Sequence, residues 1–499
     1  MDTAAVHTNV LPLLLSSLRR RKGAVVAFLI ALAAIVAGLL VVYLGLDSLP
    51  SILLAAVALP AAYVIVAHPN IGIIILLVLA YIIMFFTRLS DTFPLGTVMD
   101  AVEAMLVFSF LLRKKYDKGW AIFKNGISVI LLVWIGYNFL QIINPVAASR
   151  MAWLYTIRTI AIVALTYFIF IYYIRDVQFI RLLLKVWITL SFIAAVYTFV
   201  QEFVDFAPFE KEWLASDPAY TSLYYIGNHW RKFSIFSDPV ALAYNMVISS
   251  VLCFALTTGP FSTAKKILLG LLGCFFFTAM LYSGTRGAFV LIPITAFLFG
   301  VLKFNRRVLI IGTVIGVLGA GAILMPTSNG TLYRFQTAFK PSEDASVNVR
   351  NYNQQRIQPY ILTHPMGGGL GATGTWGQRF SPGTMLSNFP PDSGYVRVAV
   401  EAGWIGLLIF CTLMFIILKT GIRNYFSIRN KELKAYCLAM LLIIFALNIG
   451  NYPQEALVQY PINIYFYLAV ALIPITMRLD KQQSLRAASE NQIHLRHAA

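Results

Sequence analysis

Residues 264–303 read AKKILLGLLGCFFFTAMLYSGTRGAFVLIPITAFLFGVLK. Each of the two apolar stretches, 264–283 and 287–303, is long enough to cross the hydrocarbon core of a bilayer as a helix. Between Lys266 and Lys303 the only charge is Arg286, held in the turn Ser283-Gly284-Thr285-Arg286-Gly287. The stretch reads as a membrane helical hairpin with one guanidinium at its tip.

The rest of the chain repeats this pattern. Of 499 residues, 59% are hydrophobic and 12% charged, and the mean hydropathy is +0.75. Such a composition belongs in lipid and excludes a string of soluble domains. Apolar runs at roughly 24–46, 49–67, 71–89, 97–112, 122–143, 150–174, 178–200, 236–258, 264–283, 287–303, 308–325, 393–418, 433–450 and 460–477 give about fourteen spans. The expected fold is an all-α polytopic integral membrane protein with one membrane domain, 24–479. An N-terminal segment, 1–23, and a tail, 480–499, flank it, with 1–17 and the tail expected to be flexible polar ends.

Lysine and arginine gather at 19–22, 113–115, 265–266, 306–307, 419–434 and 478–486. Such clusters stay on the cytoplasmic side of a membrane. Fourteen crossings from a cytoplasmic N-terminus put every cluster there, and one helix more or fewer breaks the pattern from that point on. The net charge of +18 is therefore a topology signal directed at the anionic inner leaflet. It forms no aromatic-interleaved surface for nucleic acid. Two long polar segments, 201–236 and 326–392, fall on the outer face, so a cavity between this cap and the bundle is the expected site. Cys253, Cys274, Cys411 and Cys437 lie in apolar runs without CxxC spacing and read as small core residues. The first run has no convincing small-residue cleavage site and reads as a retained helix.

Four constellations face that cavity. His229-Trp230-Arg231-Lys232-Phe233-Ser234 leads through Ser237-Asp238-Pro239 into a helix. A cation beside aromatics suits a phosphate or a sugar ring, and equally an interfacial anchor at headgroup level. In the 283–287 turn, Arg286 is either a phosphate-gripping guanidinium or a residue snorkelling from an ordinary turn. The third constellation holds Arg350, Arg356 and Thr363-His364-Pro365-Met366-Gly367-Gly368-Gly369-Leu370-Gly371. Its glycines suit a backbone concavity for an anion or a tight surface turn, and they lack the Lys-Ser/Thr of a nucleotide loop. His364, before a proline, reads first as a structural hydrogen-bonder. The fourth, Pro391-Asp392-Ser393-Gly394-Tyr395-Val396-Arg397, runs into Glu401-Ala402-Gly403-Trp404-Ile405-Gly406. Asp392 is placed to cap that helix or, partly desolvated at the cavity mouth, to act as a general base. Arg397 and Glu401, four apart, neutralise each other. Arg88, Asp91, Asp100 and Glu103 are expected to form one further charge network in the membrane.

In order and location, the 283–287 turn, the 364–371 loop and the 392–395 stretch followed by 401–406 resemble the O-antigen ligase/polymerase family. Residues 231–245 are similar to the part of that family leading from its first large loop into the next helix. The resemblance implies a multi-pass glycosyltransferase of the bacterial inner membrane, surrounded by membrane lipid, with both termini cytoplasmic and two large periplasmic loops. Its donor would be an undecaprenyl-diphosphate-linked glycan, its acceptor a second glycan, and a chain-length regulator a further partner. No cofactor or metal is expected, and the outer face offers no acidic metal-ligand cluster. By the resemblance, Arg231 and Arg286, with Arg350 or Arg356, hold the donor diphosphate. Asp392 and Arg286 carry the catalysis, and Tyr395, Trp230 and His364 contact glycan. The family's ligase branch has a histidine where this chain has Asp392. That departure favours a repeat-unit polymerase of the Wzy type over transfer to lipid A core. A lipid-linked oligosaccharide flippase is the remaining alternative, and the lopsided outer loops count against it.

Overall fold

The computed structural model describes residues 49–89, 95–114, 119–226, 229–304 and 345–498, with isolated positions between 310 and 339. The chain divides into two compact units after residue 68. The first is represented by the helix Leu49–Ala67. The second is all-α: among the described residues the only strands form a two-residue hairpin, with Tyr225 opposite Trp230 and Ile226 opposite His229.

Nine helices among the described residues are long and apolar enough to cross a membrane: Pro69–Leu89, Gly126–Ile143, Arg150–Tyr173, Val177–Phe203, Pro239–Leu256, Thr263–Tyr282, Gly403–Ser427, Lys431–Gly450 and Ile462–Glu490. Each overlaps a predicted span. Three more predicted spans are helices: Leu49–Ala67, Arg286–Leu302 and Leu95–Lys114, the last interrupted by Asp100 and Glu103. The predicted span 24–46 and the 1–23 segment lie outside the described residues, and 308–325 almost wholly so. The span expected at 393–418 is instead two helices, Gly394–Glu401 and Gly403–Ser427, meeting where Gly403 adopts φ +73. The last helix continues to Ala498, through the stretch expected to be a flexible tail.

Polar caps set the helix starts. Asn125, Ser149, Asp176, Asp238, Ser393 and Asn430 each accept from a backbone N–H of the first turn, satisfying donors that would otherwise be orphaned. Pro239–Leu256, Ile462–Glu490 and Lys431–Gly450 are the most buried of these nine, at 89%, 83% and 78% of their apolar windows. Packing in lipid gains little from hydrophobicity, so buried hydroxyls help fix the helices to one another. Tyr81, Ser191 and Ser249 form one such chain, at 2.8 and 2.7 Å. Cys253 and Cys437 are buried as expected, whereas Cys274 and Cys411 are exposed on the outside of their helices.

The expected single charge network divides: Arg88 and Asp100 go to separate pairs, while Glu103 is buried and among the described residues neither of its carboxylate oxygens has a hydrogen-bond partner. Arg88 meets Glu210 at 3.3 Å, and Arg158 meets Asp100 at 2.6 Å; Asp91 lies outside the described residues. Arg88 also donates to the carbonyls of Ser234 and Phe236 and lies over the Phe233 ring. It thereby fastens the 204–238 segment to the bundle. Phe206, Leu214, Tyr224 and Phe233 give that segment a core of its own, against which Trp213, Tyr220 and Trp230 pack. Residues 345–400 form a second cap around Ile357, Ala372, Leu386, Phe389 and Val400.

Candidate functional site

Three arginines from distant parts of the chain line one cavity of about 630 Å3. Arg231 comes from the 204–238 segment, Arg286 from the 283–287 turn and Arg350 from the helix Ala345–Thr363. The lining also includes Tyr395, Asn448 from the last turn of Lys431–Gly450, and Tyr452 and Gln454 from the turn that follows that helix. Among the described lining residues the arginines are the only charged ones.

The turn explains how Arg286 reaches the wall. Gly284 takes φ +60, Thr285 stands at the start of the helix Arg286–Leu302 with its hydroxyl donated to the Pro239 carbonyl at 3.1 Å, and the Ser283 hydroxyl bonds back to the Met280 carbonyl at 2.6 Å. Arg231 braces the turn from the neighbouring segment, donating from Nε to the Ser283 carbonyl at 2.9 Å and from Nη2 to Thr285 Oγ1 at 3.0 Å. The Lys232 N–H adds a bond to the Tyr282 carbonyl at 3.0 Å. Lys232 itself is buried beside Glu202 at 3.5 Å; burial pushes its amine down, and Glu202 opposes that shift. A helix start, glycine backbone and three guanidinium groups together favour a multiply charged anion.

Asp392 lies just outside this cavity, in a small crevice that it shares with Arg350, Asn353 and Ser393. It is exposed rather than desolvated. The helix cap is Ser393, whose hydroxyl accepts from Val396 N at 3.4 Å, so the capping reading of Asp392 is replaced by one residue. The Asn353 side-chain amide approaches Asp392 Oδ2 at 3.5 Å. Tyr395 faces the cavity with its hydroxyl already donated to the Asn448 side-chain carbonyl.

The glycine run is neither an anion concavity nor a surface turn. Residues 367–372 are buried. Gly368 N, Gly369 N and Gly371 N donate to Val400 O, Glu401 O and Glu401 Oε2 at 2.8, 2.9 and 3.0 Å, so these amides are committed to the protein. Gly367, at φ +70, crosses Gly403, at φ +73, so closely that a Cβ on Gly367 would lie 2.6 Å from the Glu401 carbonyl carbon. Gln141 and Asn144 hold the Met366 carbonyl from the side, at 3.2 and 3.1 Å. Glu401 is also gripped by Thr373 Oγ1 at 2.5 Å and by Arg397 at 3.2 Å. Arg397 extends the expected pair to a bridge, reaching Glu455 at 2.5 Å. The run is the joint that locks the second cap onto the bundle.

The sequence of these pieces has a counterpart. Residues 270–411 match the O-antigen ligase family model, Wzy_C. No curated protein matches the chain. The match supports the family read from the motifs and, with it, a membrane function of the glycan ligase or polymerase type.

Within the matched segment, 270–411, lie Arg286, Arg350, Asp392 and Tyr395, and also Arg356 and His364. The last two do not line the cavity. Arg356 is exposed on a different face of its helix from Arg350. His364 stacks on Tyr360 at 3.9 Å, with Nδ1 2.9 Å from the Tyr360 carbonyl. Trp230, outside the segment, is taken up by the aromatic cluster, 5.0 Å from Tyr225 and 6.1 Å from Phe206. The residues that sequence reasoning missed are Asn448, Tyr452 and Gln454. Asn448 falls within the predicted span 433–450, and Tyr452 and Gln454 fall in the short polar connection Asn451-Tyr452-Pro453-Gln454-Glu455 after it.

Proposed function

We propose that this protein is an inner-membrane glycosyltransferase joining undecaprenyl-diphosphate-linked oligosaccharide repeat units on the periplasmic face, with both termini cytoplasmic. The carrying observation is the convergence of Arg231, Arg286 and Arg350 on one cavity whose described lining holds no carboxylate. A lipid diphosphate needs such a basic, laterally supported site, and the cavity has room for it together with sugar. In the reaction, an acceptor hydroxyl oxygen forms a bond to the anomeric carbon as the bond to the diphosphate oxygen breaks. The electron pair leaves with the diphosphate, where the guanidinium groups stabilise it. The acceptor proton passes to the Asp392 carboxylate, which adjoins the cavity through Arg350. Attack opposite the leaving group inverts the anomeric carbon.

Asp392 in place of the ligase histidine supports repeat-unit polymerisation. Transfer to lipid A core is the second reading, favoured by the description of the matching family model as O-antigen ligase. Purified protein in liposomes with a lipid-linked repeat unit tests both. Polymer should lengthen with wild type and fail to form with Arg286→Ala, a variant expected to stay folded. Undiminished polymer from Arg286→Ala overturns the role. Product appearing only when lipid A core is added replaces polymerase with ligase, and lipid translocation without new glycosidic bonds replaces enzyme with flippase.

A further inference from the structure

Glu103 stands apart from the arginine cavity, on the helix Leu95–Lys114. It is 1% exposed, and among the described residues neither of its carboxylate oxygens has a hydrogen-bond partner. An ionised carboxylate in that position has lost its water and gained nothing in return, so the group is neutral and carries a proton. We propose that Glu103 is an exchangeable proton site of the membrane domain, and that its proton keeps Arg158 in place beneath the second cap.

Three groups face it. Asp100 lies three residues nearer the start of the same helix, about 4.5 Å along the axis. Arg158 comes from Arg150–Tyr173 and meets Asp100 at 2.6 Å, the two side chains being 29% and 31% exposed. A proton reaching or leaving Glu103 passes at this part-exposed pair. Tyr460, before the last helix, is within electrostatic reach of Glu103, Asp100 and Arg158 alike. On Pro69–Leu89, which packs on the same helix, Arg88 is committed to Glu210 and Tyr81 to Ser191. Two carboxylates therefore share one guanidinium. With Glu103 protonated the charges of Asp100 and Arg158 balance; without that proton two anions compete for one cation. Among the described residues no third metal-ligating side chain joins them, so the pair of acids suits a proton and not a metal ion.

Arg158 is also the link to the second cap. Its Nε donates to the Tyr155 carbonyl at 3.3 Å, and its guanidinium lies 5.5 Å over the Tyr155 ring. That ring packs on Trp376 and Phe380 of the cap, at 4.7 and 5.1 Å. The helix breaks its regular ladder here in a π turn, Arg158–Ile162, an interruption common at functional positions. Drawing Arg158 toward an ionised Glu103 takes a contact from the Tyr155 ring and loosens the helix Gly374–Phe380 that rests on it.

Infrared spectroscopy of the purified protein in lipid tests the proton, and amide hydrogen exchange tests the link. At neutral pH the wild-type spectrum should hold a protonated-carboxyl carbonyl component that shifts in heavy water, fades as pH rises and is missing from Glu103→Gln. An unchanged spectrum in Glu103→Gln, or a component that neither shifts nor fades, overturns the proton site. Asp100→Asn frees Arg158 for Glu103 and should diminish the component at neutral pH; an undiminished component overturns the sharing of Arg158. Comparing wild type with Glu103→Gln at each pH cancels the chemistry of exchange itself. The amides of 374–380 should exchange alike in acid and about threefold faster in wild type at alkaline pH, the worth of one partly exposed contact between a cation and a ring. Equal exchange at every pH overturns the link to the cap.

Discussion

Arg231 is a brace for Thr285: its guanidinium reaches Thr285 Oγ1 at 3.0 Å while its Nε holds the Ser283 carbonyl at 2.9 Å. These bonds tie the first cap to the turn that presents Arg286. Lysine keeps the charge but has no planar fork to satisfy both acceptors. Arg231→Lys should therefore behave much like Arg231→Ala, each destabilising by about 1–3 kcal/mol, as expected for loss of directed bonds from a charged donor. Thermal unfolding in detergent, beside a polymerisation assay, checks this. A lysine variant with wild-type melting and activity would reduce Arg231 to a source of charge.

Arg350 and Arg356 make a sharper comparison. Both lie on the helix Ala345–Thr363, but only Arg350 lines the cavity and the Asp392 crevice. Arg350→Ala should lower turnover by about 100-fold or more, the usual cost of removing one donor from a charge-stabilising site. Arg356→Ala should leave it within about twofold, as surface changes away from special features do. Equal losses in the two variants would mean that the helix contributes through its overall charge and not through one side chain.

How far the sequence carries depends on whether a residue's partner is nearby in the chain. Arg286 stood out because an isolated charge between apolar runs is conspicuous in itself, and the cavity duly includes it. Arg350 could not be told from Arg356 until the helix orientation was known. The glycines between 367 and 371 carry no mark of what they face; their partner is the break at Ala402–Gly403, which hydropathy reads straight through. Arg88 was grouped with nearby acids, yet its partner, Glu210, stands 122 positions away in the chain. Asn448, one amide inside an apolar span, and Gln454, one amide in a short connection, produce neither a charge nor a hydropathy signal.

The Gly367–Gly403 crossing should tolerate no side chain. Both residues have left-handed backbone, and a Cβ on either meets backbone of the other segment. Gly367→Ala and Gly403→Ala each add that collision to an unfavourable conformation, which together cost about 3 kcal/mol or more. Gly136→Ala is the control, since nothing lies within 4 Å of its added Cβ. Folded yield and melting temperature should fall for the first two only. Normal yield from Gly367→Ala would show that the second cap can shift on the bundle.

Glu455 gives the joint a pH dependence whose sign follows from its environment. Burial pushes its carboxyl above the ordinary glutamate value, and Arg397 at 2.5 Å pulls it back only in part. The native state therefore keeps this proton to a higher pH than the unfolded chain does. The group's contribution to stability is complete in acid, below the unfolded value, and is lost as pH rises through the native one. Glu455→Gln stays neutral throughout and should remove that decline, flattening the melting temperature of the purified protein against pH above the ordinary glutamate range. The neighbouring Glu401 still pairs with Arg397 at 3.2 Å, so the guanidinium is not abandoned in the variant. If the decline survives in Glu455→Gln, another group is titrating; if Glu455→Gln makes it steeper, Arg397 outweighs burial and the sign of the effect is reversed.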